Sequence, residues 1–280
     1  MKKSYLLFIS VLSAIMLSGG AGLAAGVSTE DQQALRTQYV GKVLVFRKCM
    51  RMATTYDVQE DGTLKGDPRP GYWSVDGVVQ VKDLEFRKDR VTFKCSKLWA
   101  NIKNDGQLHF FPASAALKGK YRDYSETADV IFRTGQEPLN ASAVSERVKK
   151  VFLGEQESAL STAPQPIAAY IQKVAAETDV DSAAGKNFSG TLPKLTSKPT
   201  PSISREAELV GQAGKESFVL YVDEQGKAAV VGFTQLLQYG LEETTIEAVK
   251  GWTFEPAVQD GKPVAVRIPM SIDYKLPEKK

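Results

Sequence analysis

Alternating hydrophobic and polar positions, separated by short turn sequences, run from residue 39 to about residue 135. A period of two is typical of half-buried β-strands, and Gly, Asp and Pro between such runs mark turns. A short polar lead, residues 32–38, precedes them. Strands at this spacing predict a small sandwich or an open barrel. The predicted strands are residues 43–46, 72–75, 78–81, 83–86, 91–95, 108–111 and 129–132.

The spacing of hydrophobic residues changes to three and four over residues 140–153. This period predicts a helix that closes the first domain, with Gly154 as its C-terminal cap. A second amphipathic helix is predicted over residues 165–177, packing back on the first domain. Residues 179–204 then shift to Ser, Thr, Gly, Lys and Pro, a composition that predicts a linker and a domain boundary.

The C-terminal part combines both periods. A short helix is predicted at residues 204–212, followed by a hairpin of residues 218–222 and 228–233 whose turn contains Gly226. A helix is predicted over residues 241–252, with Glu242 and Glu243 in its first turn, where acidic side chains complement the helix dipole.

A rigid corner and a final strand follow that helix. Pro256 forces Glu255 out of the helical region, and Asp260-Gly261 predicts the next turn. The last strand is predicted to be an edge strand, because Pro269 lacks an amide hydrogen and strand prolines are tolerated mainly at open edges. Its exposed face carries Arg267, Pro269, Ser271 and Asp273, and its core face carries Val264, Val266, Ile268, Met270, Ile272 and Tyr274.

These elements and their motif resemble the TonB C-terminal domain family over about residues 197–276. The motif comprises Trp252, Phe254, Glu255, Pro256, Ala257, Gly261 and Pro263, all in the order and spacing of the family. The resemblance implies a small α+β domain that binds outer-membrane receptors by pairing its last strand with their N-terminal peptide. The implied binding residues are Val264, Val266, Arg267, Ile268, Met270, Ser271, Ile272 and Tyr274.

Departures from the family bear on function. Energy-transducing members carry a functional histidine in an N-terminal anchor and a long Pro-rich spacer. Here the apolar N-terminal segment has no histidine and the spacer is short. The sequence therefore favours passive binding over energy coupling.

The N-terminus is typical of an export signal, with Lys2 and Lys3 before an apolar stretch and small residues up to residue 25. An uncleaved inner-membrane anchor facing the periplasm is the alternative, and membrane contact is expected only in that case. Export exposes Cys49 and Cys95 to an oxidising compartment, so a disulfide between them is predicted, with two separately buried thiols as the alternative.

Several kinds of chemistry have no support in the sequence. His109 is the single histidine and is interpreted as a strand residue, so no metal site, catalytic residue or cofactor is predicted. The net charge of +3 is dispersed and predicts no nucleic-acid partner. Tyr72 and Trp73 are interpreted as a core pair, with an aromatic ligand platform as the alternative.

Together these observations predict an α+β protein, with a mainly-β N-terminal domain and a small C-terminal domain built from an antiparallel sheet and two helices. The domains are residues 1–25 (signal), 30–155 (β-rich), 156–200 (helix and linker) and 201–280 (TonB-like). The predicted function is a periplasmic, non-enzymatic module that binds a protein partner in the cell envelope. The alternatives are a membrane-anchored energy transducer, or a ligand-binding protein or enzyme centred on the β domain.

Overall fold

A computed structural model describes residues 26–65, 70–102, 108–117, 124–135, 138–172 and 188–277. The predicted export segment and residues 173–187 of the predicted second helix and linker lie outside the described residues. Within the described ranges, no helix has the length and apolar character needed to cross a membrane. We refer to residues 26–172 as the N-terminal region and to residues 188–277 as the C-terminal region.

The protein combines helices and strands as an α+β fold. The helices are α1 (Thr29–Tyr39), α2 (Trp73–Asp76), α3 (Ala113–Ala116), α4 (Ala141–Val151), α5 (Gln165–Ile171), α6 (Arg205–Val210) and α7 (Leu241–Val249), with a 3-10 helix at Ala159–Thr162. The strands are β1 (Val43–Val45), β2 (Thr55–Val58), β3 (Val78–Arg87), β4 (Arg90–Ile102), β5 (Leu108–Pro112), β6 (Thr127–Arg133), β7 (Lys194–Ser197), β8 (Gly214–Val222), β9 (Ala228–Gln235), β10 (Thr253–Glu255), β11 (Ala257–Gln259), β12 (Lys262–Val264) and β13 (Val266–Tyr274).

The N-terminal region is built on one six-stranded sheet in the order β1-β3-β4-β6-β2, with β5 pairing β4. The prediction of a sandwich or barrel is therefore wrong for the described residues. The apolar face of this sheet is covered by helices, with Leu35 and Tyr39 of α1 and Val144 and Val148 of α4 in its core. Most pairs are antiparallel, but β2 and β6 run parallel.

Three predicted boundaries in this region are corrected. The polar lead is helix α1, which Ser28 caps by accepting a hydrogen bond from the Asp31 amide. The strands predicted at residues 78–81 and 83–86 form the single strand β3, in which a register shift lies between Val81 and Asp83. Helix α4 ends with Phe152 as its C-cap in an extended conformation, so Gly154 does not cap it.

Residues 72–75 are not a strand. Tyr72 precedes the short helix α2, whose residues are all buried. Asp76 stabilises this turn, because its carboxylate accepts hydrogen bonds from the backbone amides of Met52 and Tyr72, both at 3.1 Å. Alternation of side chains alone does not separate a four-residue helix from a strand, and this local capping decides between them.

The C-terminal region contains a three-stranded antiparallel sheet in the order β13-β8-β9 and two short two-stranded sheets, β10-β7 and β11-β12. Helix α6 begins at Ser204, whose side chain accepts a hydrogen bond from the Ala207 amide. Gly226 in the β8–β9 turn has a φ of +76°. The antiparallel sheet and two helices predicted for this region are present.

The two elements that flank residues 173–187, α5 and β7, pack on strands of the C-terminal region. Strand β7 lies inside the predicted linker and pairs with β10. Helix α5 packs mainly against β9, and its Ile167 also lies in a core with Trp73 and Ala100 of the predicted first domain. The second hydrophobic core includes Trp73, Ala100 and Ile167 of the N-terminal region together with Leu241 and Trp252. The two regions therefore share a core.

Candidate binding edge of the C-terminal sheet

Strand β13 forms one edge of the three-stranded sheet. It pairs with β8 along its whole length, from Val266 opposite Val222 to Tyr274 opposite Gly214, without a register shift. No described strand pairs with its other side. Helix α5 packs against the opposite edge strand, β9. An extended peptide therefore has one open strand in this sheet along which to pair.

The two faces of β13 differ as predicted. Val266, Ile272 and Tyr274 are buried and belong to the C-terminal core. Ile268 and Met270 are half-buried against the same core. On the other face Arg267 is half-buried, and Pro269, Ser271 and Asp273 are exposed. The predicted set therefore contains both core residues and solvent-facing residues.

Val264 does not belong to the last strand. It ends β12 and pairs with Ala257 in the β11–β12 hairpin. Asp260 and Gly261 form the turn of that hairpin with φ values of 52° and 73°. Two consecutive positive φ values match the two-residue hairpin turns whose twist suits the flanking strands. The chain thus makes a separate tight hairpin before β13 begins.

The end of β13 is held to helix α7 by hydrogen bonds. The Tyr274 hydroxyl lies 2.7 Å from both the Thr244 and Thr245 hydroxyls and 3.1 Å from the Leu241 carbonyl oxygen. All of these groups are buried. Because a buried hydroxyl without partners is costly, this network fixes the strand end relative to the helix.

The motif residues before β13 lie mainly in the core. Trp252, Phe254 and Ala257 are buried, and the Trp252 indole donates a hydrogen bond to the Pro199 carbonyl oxygen at 2.9 Å. Glu255, Gly261 and Pro263 are exposed, and Pro256 is half-buried. The geometry of the corner is thus set by buried aromatic packing together with the proline and the turn.

The predicted disulfide is not formed. Cys49 and Cys95 are both free in the structure. Cys95 is buried in the sheet core on β4, opposite Val81 and Ala128. Cys49 packs at the edge of that core beside Gly71. Desolvation raises the pKa of each thiol to about 12, so both are poor nucleophiles at neutral pH.

The aromatic and histidine candidates of the N-terminal region lie within packed structure. Tyr72 and Trp73 are buried where the two regions meet. His109 is half-buried on β5. In the part of the chain that the structure describes, no group of three or more His, Cys, Asp or Glu side chains is arranged to hold a metal ion.

Sequence reasoning missed a set of buried acidic residues between the two regions. Glu242 and Glu243 are buried and not on the solvent face of α7. Glu242 accepts hydrogen bonds from the Leu237 and Gln238 amides at 2.8 and 2.6 Å. Glu243 accepts two from Ser74 of the N-terminal region. No local signal distinguished these residues from the usual acidic residues in the first turn of a helix.

Residues 199–276 match the family model of the Gram-negative bacterial TonB protein C-terminal domain. The predicted TonB resemblance is confirmed for this region. A structure search also matches the solution NMR structure of Pseudomonas aeruginosa TonB CTD, at 21% sequence identity, covering 31% of this chain and 90% of that chain with a TM-score of 0.25. Comparison with curated proteins gives no match.

The TonB-like region contains the whole candidate edge and the motif before it. It also contains the face of α6 and α7 that the N-terminal region covers, including Glu206 and Glu243. The covering residues themselves, such as Ser74 and Ile102, lie outside the match. The match therefore accounts for the candidate edge but not for the contact that the N-terminal region makes with it.

Proposed function

We propose that this protein is an exported, periplasmic binding protein without enzymatic activity that pairs an extended segment of an envelope protein with the free edge of β13. The observation that carries the proposal is the position of β13, an open edge strand inside the region that matches the TonB C-terminal family. The partner class that fits is a peptide from the periplasmic N-terminus of an outer-membrane receptor.

The dimensions of the edge support a strand partner. β13 has nine residues in continuous register with β8. At about 3.3 Å per residue, such a strand presents roughly 30 Å of backbone. In this binding mode main-chain hydrogen bonds supply affinity, and alternate side chains supply selectivity.

Pro269 indicates which amides face the partner. In an antiparallel strand every second residue directs its N–H and C=O to the same side. A proline nitrogen is best placed toward the open side, since it has no hydrogen to donate to the paired strand. Arg267, Ser271 and Asp273 lie two or four positions from Pro269, so their backbone groups point to the same side of the strand. We infer that they offer their amides to an added strand.

The test replaces Ser271 with proline. Ser271→Pro removes one outward donor at an exposed position without changing the core face of β13. Binding of synthetic peptides from receptor N-termini to the full mature chain is measured by isothermal titration calorimetry. Loss of one hydrogen bond costs about 1 kcal/mol, so we expect affinity to fall about fivefold, with further loss if proline displaces the incoming strand.

Ser271→Ala is the matched control because it retains the amide, and its affinity should equal that of the wild type. A Ser271→Pro variant that binds as tightly as the wild type would rule out pairing at this edge. If the Ser271→Pro variant instead lost several degrees of melting temperature, the Ser271 amide would face β8. The inferred direction of the outward amides would then be wrong. Absence of binding to every receptor peptide would reject the proposed partner class.

A further inference from the structure

The two regions meet through buried polar groups as well as through apolar packing. The Ser74 amide and hydroxyl both donate to Oε1 of Glu243, at 2.9 and 2.8 Å. The Gln238 side chain accepts from the Ile102 amide at 2.9 Å and donates to the Ile102 carbonyl oxygen at 3.3 Å. We refer to the contact of residues 72–76 and 99–102 with residues 204–210 and 236–243 as the inter-region contact.

Two carboxyl groups in this contact are buried with incomplete hydrogen bonding. Glu206 is 2% exposed and Glu243 is 5% exposed. Oε1 of Glu206 and Oε2 of Glu243 have no hydrogen-bond partner among the described residues. A buried carboxylate oxygen without a donor is far more costly when the group is ionised than when it is a neutral acid. The geometry therefore favours the protonated form of both groups while the regions are in contact.

The cations near these carboxyl groups are already engaged with other groups. The Arg51 guanidinium forms an ion pair with Glu247 at 2.7 Å and stacks over the Tyr72 ring at 3.9 Å. Lys97 is buried and lies over the Tyr124 ring, where it acts on the Asp76 carboxyl as well as on Glu206. Among the described residues, the titratable or charged groups with the largest effects on Glu206 or Glu243, or on which these two act, are Cys49, Arg51, Tyr72, Asp76, Lys97, Tyr124, Glu216 and Glu242.

We propose that the inter-region contact is an acid-stabilised clamp: Glu206 and Glu243 enter it as neutral carboxylic acids, and their ionisation loosens the N-terminal region from the helices α6 and α7. The proposal concerns the contact within the chain and does not depend on the identity of a partner at β13.

The direction of the pH effect follows from the pKa values of the two groups. Burial raises the pKa of Glu206 to about 7 and that of Glu243 to about 7, in each case against the smaller effect of hydrogen bonds that favour the charged form. A pKa raised in the closed state means that closure is fully favoured below the pKa of the free group. That contribution is lost as the pH rises through 7.

The neighbouring groups do not reverse this direction. Burial also raises the pKa of Asp76, but its hydrogen bonds are to Met52 and Tyr72 of its own region, so they persist when the contact opens. Desolvation lowers the pKa of Lys97, which acts with the opposite sign. Removing Glu206 and Glu243 while retaining Asp76 and Lys97 therefore separates the proposed groups from their neighbours.

The test measures opening of the contact in the full mature chain by hydrogen exchange and mass spectrometry at pH 5.5 and 8.0, corrected for intrinsic exchange. The reporters are peptides containing the Ser74 and Ile102 amides, which donate across the contact. We expect their protection to fall about tenfold or more between the two pH values. Peptides covering Val91 and Phe93, in the separate N-terminal core, should keep their protection.

The Glu206→Gln/Glu243→Gln double variant should lose this pH dependence, and each single variant should lose about half of it on a logarithmic scale. Glu216→Gln is the matched control, because Glu216 is a fully buried carboxyl with a raised pKa whose hydrogen bond, to Thr245, lies inside the C-terminal region. It should retain the wild-type pH dependence at Ser74 and Ile102. Protection that does not change with pH in the wild type, or that changes equally in the double variant, would overturn the proposal.

Discussion

Gly226 combines two requirements at a single residue. Its φ of +76° lies in the left-handed region, and a Cβ added there would lie 1.8 Å from the Phe254 carbonyl oxygen. The Phe254 amide in turn donates to the Gly226 carbonyl oxygen at 2.9 Å. The turn between β8 and β9 therefore packs backbone against backbone on the segment that carries the TonB-like motif.

We predict that Gly226→Ala destabilises the protein by more than about 2 kcal/mol, because left-handed strain and a backbone clash add together. The measurement is the free energy of unfolding from urea denaturation. Gly261→Ala is the control, since Gly261 has a similar φ of +73° but open space around the position of its Cβ. It should cost about 1 to 2 kcal/mol. Equal losses in the two variants would show that the contact with Phe254 contributes nothing.

For single residues, the sequence predicted backbone conformation better than it predicted burial. The turn at Gly226 was predicted from its neighbours, since a positive φ is a local requirement. The burial of Glu243 was not, because it depends on Ser74, which is 169 positions distant in the chain. The helix dipole favours an acidic residue in the first turn whether its side chain is exposed to solvent or buried by another region, so the dipole does not distinguish the two cases.

At the scale of elements, the strand β13 is an open edge with a proline at its centre. Unprotected edges invite pairing between molecules, and proline is one of the devices that discourage it. Pro269 is exposed and faces Val219 of β8 in the middle of the ladder. Pro269 therefore has no amide hydrogen with which a second copy of the chain could pair at this position.

We predict that Pro269→Thr, which restores an amide donor at the edge, produces a concentration-dependent dimer. The dimer is detected by light scattering after size-exclusion chromatography, over about a hundredfold range of protein concentration. Pro263→Thr is the control, because Pro263 is also exposed but lies in the three-residue strand β12. A Pro269→Thr variant that stays monomeric over the whole range would contradict the protective role of the proline.

Element prediction succeeded where one periodic pattern covers a whole element. The alternation over residues 264–274 located β13 and its buried face, although the structure begins the strand at Val266. It failed for short elements held by specific contacts. Helix α2 has four residues and depends on the Asp76 carboxylate, and strand β7 is exposed along its length, so neither leaves a hydrophobic pattern.

At the scale of the whole molecule, the two regions form a continuous packed structure. Trp73, Ala100 and Ile167 lie in the core of the C-terminal region. Strand β4 joins the two cores, since Val91 and Phe93 belong to the N-terminal core and Ala100 to the C-terminal one. A sequence divided by a linker predicts two independent domains. Apolar residues that pack against the other region, however, have the same sequence pattern as apolar residues that pack within their own region, so the sequence did not reveal the shared core.

We predict a single cooperative unfolding transition for residues 26–280 at pH 6, measured by differential scanning calorimetry with equal calorimetric and van't Hoff enthalpies. Trp73→Ala should separate it into two transitions, because it removes a buried side chain, 4% exposed, from the contact at a cost of about 3 to 5 kcal/mol. Leu192→Ala, at a residue that is 55% exposed, is the control and should leave one transition. Two transitions in the wild type would show that the regions unfold independently.

The shared core also bears on how the TonB-like region behaves when it is expressed by itself. Leu209, Val210 and Tyr239 pack against a core cluster of the N-terminal region that includes Tyr72 and Trp99. A fragment that starts at residue 188 presents these side chains to water as a contiguous apolar patch, and such patches promote aggregation and unselective adhesion. Proteins captured on that fragment would therefore report in part on a surface that the intact chain keeps covered.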